Sequence, residues 1–154
     1  MERAVAHPYA ATMSNVAALI HVVDDEQAVR KALKRLFRSA GLRVETFGSG
    51  PEFLEAIMAR NVPDCVVLDI RMPTVTGFEV QARLKAASFA IPVIFITALD
   101  EPGDEERAMQ SGAFAFLRKA VDEAALLTTV ERAIEERHRL SARGLDANRT
   151  PTAG

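Results

Sequence analysis

The sequence predicts an α/β domain in which a parallel β-sheet carries helices on both faces. Three observations lead to it. Short apolar runs rich in β-branched residues alternate with amphipathic stretches, strand then helix, five times along the chain. Two of the runs, Cys65-Val66-Val67-Leu68 and Val93-Ile94-Phe95-Ile96, are continuously apolar, as strands covered on both faces must be. The composition, 49% hydrophobic and 26% charged over 154 residues, is that of one globular domain with a core of its own.

The first strand is predicted at Ala18–Val23, ended by Asp24-Asp25. From Glu26 to Ala40 the period lengthens, and Val29, Leu33, Leu36 and Ala40 form one helical stripe. Gly41 stops that helix. Leu42–Phe47 alternates apolar and polar residues as a short strand does. Ser49 can cap the second helix, which Phe53, Leu54, Ile57 and Met58 mark and Asn61-Val62-Pro63 ends. The third strand, Asp64–Ile70, runs into a loop with Pro73 and Gly77. Phe78, Val80, Gln81 and Leu84 mark the third helix, and Pro92–Thr97 the fourth strand. Pro102-Gly103 opens a short acidic helix that closes at Ser111-Gly112. Ala113–Leu117 is the fifth strand. Asp122 caps a long last helix with Leu126, Leu127, Val130 and Ile134 on one face. These patterns divide the chain into an extension over 1–16, a domain over 17–141 and a frayed tail over 142–154.

Charge and cysteine content exclude several classes. Nineteen basic residues stand against 21 acidic ones, a net charge of −2, which argues against direct nucleic-acid binding. The single Cys65 lies in an apolar run and reads as a reduced, buried thiol, which suits the cytoplasm. No stretch approaches the roughly 18 apolar residues of a membrane span. His21 reads as a packed histidine, and His7 and His138 as solvated ones.

In a parallel sheet of this kind the chemistry lies beyond the carboxyl ends of the strands. The residues there are Asp24, Asp25, Asp69, Thr97 and Lys119. Three carboxylates brought together repel one another and call for a cation, and Mg²⁺ is the natural hard ion for such a set. Beside it, a lysine and a hydroxyl make a cradle for a phosphoryl group, with a carboxylate as nucleophile. The bland alternative is that Asp24 and Asp25 merely cap the first helix and that Thr97 is an ordinary strand residue.

The segments His21-Val-Val-Asp-Asp-Glu26, Val67-Leu-Asp-Ile-Arg-Met-Pro73, Ile96-Thr-Ala98 and Phe116-Leu-Arg-Lys119 resemble the receiver domain of two-component response regulators, nearest to the nitrogen-fixation type. The resemblance covers roughly residues 17 to 140. It implies a flavodoxin-like, doubly wound five-stranded sheet in the order 2-1-3-4-5, an order for which the chemotaxis receiver is the standard example. It also implies roles. Asp69 matches the phosphoacceptor, Asp25 the direct Mg²⁺ ligand and Asp24 its second partner, with the backbone carbonyl of Arg71 completing the metal site. Thr97 matches the switch hydroxyl, Phe116 the switch aromatic that turns inward, and Lys119 the phosphate-binding lysine, while Ala98 leaves the phosphate accessible. Two residues depart from the family pattern. Thr74 stands where Gly, Asp or Asn is frequent, and Ala120 stands where a proline follows the lysine. The family's lysine–proline bond is typically cis; with alanine the bond is expected to be trans, because a cis bond there costs about 2.5–4 kcal/mol.

The resemblance implies a non-enzymatic signalling protein that takes a phosphoryl group from a sensor histidine kinase or a phosphotransfer protein. A haloacid-dehalogenase-like phosphatase would need a second acid two residues after the nucleophile, where this chain has Arg71. The other alternative is a phosphorylation-independent interaction module. With no helix-turn-helix pattern after the last helix, a stand-alone receiver is expected. Its output would be a downstream protein contact or a homodimer through the fourth helix, fifth strand and fifth helix.

Overall fold

The computed structural model describes residues 17–149, so the expected extension over 1–16 lies outside the described residues. Five strands alternate with five helices: β1 (Leu19–Val23), α1 (Gln27–Ser39), β2 (Arg43–Phe47), α2 (Gly50–Met58), β3 (Cys65–Asp69), α3 (Gly77–Ala86), β4 (Val93–Thr97), α4 (Asp104–Gln110), β5 (Ala115–Arg118) and α5 (Glu123–Arg149). All pair in parallel, in the order β2-β1-β3-β4-β5.

The alternation along each strand sorts the core into two layers. Cys65 and Val67 of β3, with Ile94 and Ile96 of β4, pack with Leu33 and Phe37 of α1 and Leu126, Val130 and Ile134 of α5. Val66, Leu68 and Phe95 point the other way, to Phe53, Ile57, Phe78, Val80 and Leu84 of α2 and α3. Burial pushes the Cys65 thiol up, so it stays protonated inside the first layer.

The helix starts are specified locally. Ser49 accepts from the Glu52 amide at 3.2 Å, and Thr76 and Glu79 form a reciprocal capping box on α3. Asp122 accepts from the Ala125 amide at 3.1 Å. Gly41 takes the left-handed φ of 84° that turns the chain from α1 into β2. No peptide bond among the described residues is cis, so Lys119–Ala120 is trans, as alanine predicts.

Several boundaries and placements differ from the sequence reading. The α1 stripe centres on Leu33 and Phe37, with Val29 and Leu36 at its half-buried margins, because the fully buried Phe37 joins the layer that also holds Ile20, Val22, Val67 and Ile94. Of the apolar residues that mark α2, Phe53, Leu54 and Ile57 are buried and Met58 is exposed. The last strand is shifted to Ala115–Arg118. α5 continues to Arg149, past the point at 142 where a tail was expected; a glycine within a helix costs only about 1 kcal/mol, and no proline intervenes before Pro151. His138 is not simply solvated: its Nε2 lies 3.1 Å from Asp64 Oδ1 at the base of β3.

Candidate functional site

β1 and β3 are neighbours in the sheet, and their carboxyl ends bring Asp24, Asp25 and Asp69 together. One carboxylate oxygen from each lies within 4.8 Å of the others. Asp69 is the last residue of β3 and only 3% exposed. Asp24 is buried and Asp25 exposed. Thr97 ends β4, and Lys119 follows β5, its amide donating to the Thr97 carbonyl at 2.8 Å. Asp25, Glu26, Asp69, Arg71, Thr97, Ala98, Leu99 and Lys119 line a cleft of about 190 Å³. The five strand-end residues therefore converge as their positions predict.

Asp24 does two jobs. Its Oδ1 accepts from the Glu26 amide at 2.8 Å, closing the turn into α1. Its Oδ2 is buried, makes no hydrogen bond of normal geometry, and faces the Lys119 ammonium at 3.0 Å. Capping and site chemistry are thus divided between two oxygens of one carboxylate. Arg30 steadies the same turn by donating to the Asp24 carbonyl at 2.7 Å.

Lys119 reaches the site even with alanine after it. Its Nζ lies 2.8 Å from Glu26 Oε1, 3.0 Å from Asp24 Oδ2 and 3.7 Å from Asp69 Oδ2. Burial works against the ammonium, but Glu26, Asp24 and Asp69 outweigh it and hold its pKa above the ordinary lysine range. Asp69 moves in the opposite sense to most paired carboxylates. Burial first, then repulsion from Asp24 and Asp25, pushes it up to about 7, against weaker pulls from Lys119 and the Arg71 backbone N–H. One ammonium does not balance this many carboxylates. The buried Asp24 oxygen, which shares the single Lys119 ammonium with Asp69 and Glu26, and the three converging oxygens make a donor set that suits a hard divalent cation.

Thr97 is buried, and its hydroxyl is engaged with the backbone of Leu99, donating to the carbonyl at 3.0 Å and accepting from the amide at 3.2 Å. Phe116 was expected to turn inward on activation. It is already inside, 7% exposed, with the Arg118 guanidinium 5.3 Å from its ring centre. Burying a phenyl ring in the layer under α4 is favourable in itself, so the inward position needs no trigger.

Two contributors escaped the sequence reading. Glu26 lies next to the acidic pair and takes the shortest contact to Lys119. Its pKa is lowered by that hydrogen bond and charge. The Arg71 side chain, as distinct from its carbonyl, lines the cleft and pairs with Asp104 and Glu101. A polar residue two positions after a strand-end aspartate was the available signal.

A family model described as the response regulator receiver domain matches residues 20–131. Nodulation protein W of Bradyrhizobium diazoefficiens is 39% identical over 138 residues, which cover 89% of this chain and 60% of that protein. The response regulator protein TodT of Pseudomonas putida is 38% identical over 123 residues, covering 80% of this chain and 54% of that one. Among solved structures, a response regulator receiver protein from Burkholderia phymatum superposes with a TM-score of 0.70 at 44% identity, covering 77% of this chain and 95% of that one. The chain spans between 54% and 60% of the length of these two curated relatives.

Proposed function

The chain belongs to the response regulator receiver domain family, and on that premise we propose that it is a phosphoacceptor whose nucleophile is Asp69. One observation carries the reading: a buried strand-end carboxylate faces two more within 4.8 Å and an ammonium at 3.7 Å. Such a group gains most from a cation, which offsets the repulsion of its neighbours and, with the ammonium, steadies the charge of a transferred phosphoryl group.

In the proposed reaction an Asp69 carboxylate oxygen attacks the phosphorus of a phosphohistidine on a sensor kinase or phosphotransfer protein. The new O–P bond forms as the P–N bond breaks. The bonding pair leaves with the imidazole nitrogen, which is left neutral or takes a proton from solvent. Mg²⁺ held by Asp24, Asp25, Asp69 and the Arg71 carbonyl would lower the Asp69 pKa and offset charge on the transferring group. Lys119, already within 3.7 Å of Asp69, supplies a positive charge to the phosphoryl oxygens. Exposed Ala98 leaves the approach open. Thr97 would exchange its bond to Leu99 for one to the phosphoryl group, and Phe116 would hold the inward position that this requires. The altered surface is then read by a downstream protein or by a second copy of the chain through α4, β5 and α5. Among the described residues no helix is long and apolar enough to cross a membrane.

Acetyl phosphate with Mg²⁺ tests the reading by intact-mass measurement. One added phosphoryl group, absent in Asp69→Asn, is the expected result. Multiple turnovers of a small phosphate ester, which cannot label a receiver as an acyl phosphate does, would make the protein an enzyme instead. No mass change under conditions that label a control receiver would leave only a phosphorylation-independent interaction module.

A further inference from the structure

Arg71 is two residues past Asp69 and lines the same cleft, yet its guanidinium is spent elsewhere. Its Nη2 lies 2.5 Å from Asp104 Oδ2 and 3.1 Å from Glu101 Oε1. Asp104 is the first residue of α4 and only 7% exposed. The same Asp104 oxygen accepts from the Glu101 amide at 2.9 Å, so the ion pair closes the turn that starts the helix. Meanwhile Arg71 Nε is buried and has no hydrogen-bond partner. An orphaned buried donor on a charged group is costly, and it stands ready for an acceptor that the cleft does not now supply.

α4 depends on this pair. Only Asp104 and Ala108 of its seven residues are buried, and Gly103 before it sits at a φ of 88°. Its other polar ties include the exposed Arg118–Glu105 contact at 3.5 Å, Arg107 stacked 4.1 Å from the Phe78 ring centre, and, at its far end, the Ser111 hydroxyl donating to the Ala108 carbonyl at 2.7 Å. An element with so little apolar burial lies at the low-stability end of the molecule.

We propose that Arg71 is a charge-operated latch: in the resting protein it holds the start of α4 through Asp104 and Glu101, and a phosphoryl group on Asp69 draws it away and loosens the helix. The proposal rests on the phosphoacceptor reading of Asp69. A phosphoryl group brings a charge of about −1.5 to −2 and three strong acceptor oxygens into the cleft. A planar fork with its Nε free can meet two of those oxygens at once, which Asp104 and Glu101 do not allow in the resting arrangement. The side chain can swing while the Arg71 carbonyl stays in place, so cation binding and latch release are separable.

The test uses beryllofluoride with Mg²⁺ as a stand-in for the acyl phosphate. NMR follows the Arg71 Nε–H signal, the Asp69 and Thr97 amides, and hydrogen exchange across α4. In the wild type, the probe should shift the Arg71 Nε–H signal and speed α4 exchange by roughly tenfold, the scale of one charged hydrogen bond. Asp104→Asn keeps an acceptor for the Glu101 amide but removes the charge. It should exchange fast before the probe is added and respond little to it. Arg71→Lys keeps the charge without the fork and should give the same loss of response. Shifts at Asp69 and Thr97 with no change at Arg71 Nε or in α4 would overturn the latch alone. No shift at Asp69 and Thr97 either would overturn the phosphoacceptor reading, and the latch with it.

Discussion

Asp69 and His21 show how burial acts on opposite charge types. Asp69 rises from an ordinary 3.8 to about 7, so the folded protein holds a proton there more tightly than the unfolded chain does. Its stabilising contribution is complete below the unfolded value and is lost as pH rises through the folded one. In EDTA at about pH 8, Asp69→Asn should therefore stabilise the domain, by on the order of 4 kcal/mol at most. The gain should fade on acidification; urea melts showing no gain at the higher pH would contradict the assigned repulsion. His21 runs the other way. Its ring lies 4.9 Å from Phe47 and 5.7 Å from Phe53, and neither nitrogen makes a hydrogen bond of normal geometry. Burial lowers its pKa from 6.5 to about 4, with Glu45 and Asn61 opposing in part. The folded state keeps it neutral while the unfolded chain protonates, so stability falls as pH drops from 6.5 toward 4. The loss amounts to about 3 kcal/mol. His21→Leu should flatten that acid limb, and an unchanged limb would assign it to other groups.

At the scale of elements, the loop from β3 to α3 places the acceptor. The Gly77 amide donates to the Ile70 carbonyl at 2.9 Å, and a Cβ on Gly77 would fall 2.3 Å from the Asp69 carbonyl oxygen. Gly77→Ala must push α3 off the strand end. It should cost about 2 kcal/mol in a urea melt and slow labelling by acetyl phosphate, because it displaces the acceptor backbone. Thr74 in the same loop holds a φ of 70°, which a β-branched residue tolerates badly. Thr74→Gly should add about 1 kcal/mol, the relief of strain less the entropy glycine brings to the unfolded chain. A neutral or destabilising result would show that the threonine side chain has a compensating contact. The order of elements and the strand-end residues were legible because strands end where apolar runs meet Asp24, Asp69, Thr97 and Lys119. The parallel arrangement followed from the same runs. What stayed hidden depends on long-range partners. Phe37 belongs to a core layer shared with residues of β1, β3, β4 and α5, His138 finds Asp64 across 74 residues, and Arg71 finds Asp104 across 33. No local period records such meetings. The extent of α5 was missed for a different reason: its last turns carry no apolar stripe to mark them, and helix formation there needs only the absence of a breaker.

The described domain is two apolar layers sharing one sheet, with the buried carboxylates Asp24 and Asp69 at the sheet's carboxyl edge. The carboxylates come from the ends of β1 and β3, two of the three interior strands, so their repulsion bears on the sheet that both layers need. Unfolding either layer separates them. A cation that binds only the folded arrangement therefore stabilises the entire domain, not a local loop. At ten times its dissociation constant, Mg²⁺ should add about 1.4 kcal/mol and raise the melting temperature by roughly 4 °C in one cooperative transition. Asp25→Ala separates the two effects of charge at this edge. Asp25 is exposed, so its removal leaves both layers intact, and the variant should melt no lower than wild type in EDTA because one source of repulsion is gone. It should nevertheless lose most of the Mg²⁺ response, since the cation would lose a ligand. Calorimetry with and without Mg²⁺ on both proteins measures the difference. If Asp25→Ala kept the full response, the cation would have to sit on Asp24 and Asp69 alone, and a melting temperature blind to Mg²⁺ in both proteins would mean that Lys119 already supplies all the positive charge the folded edge requires.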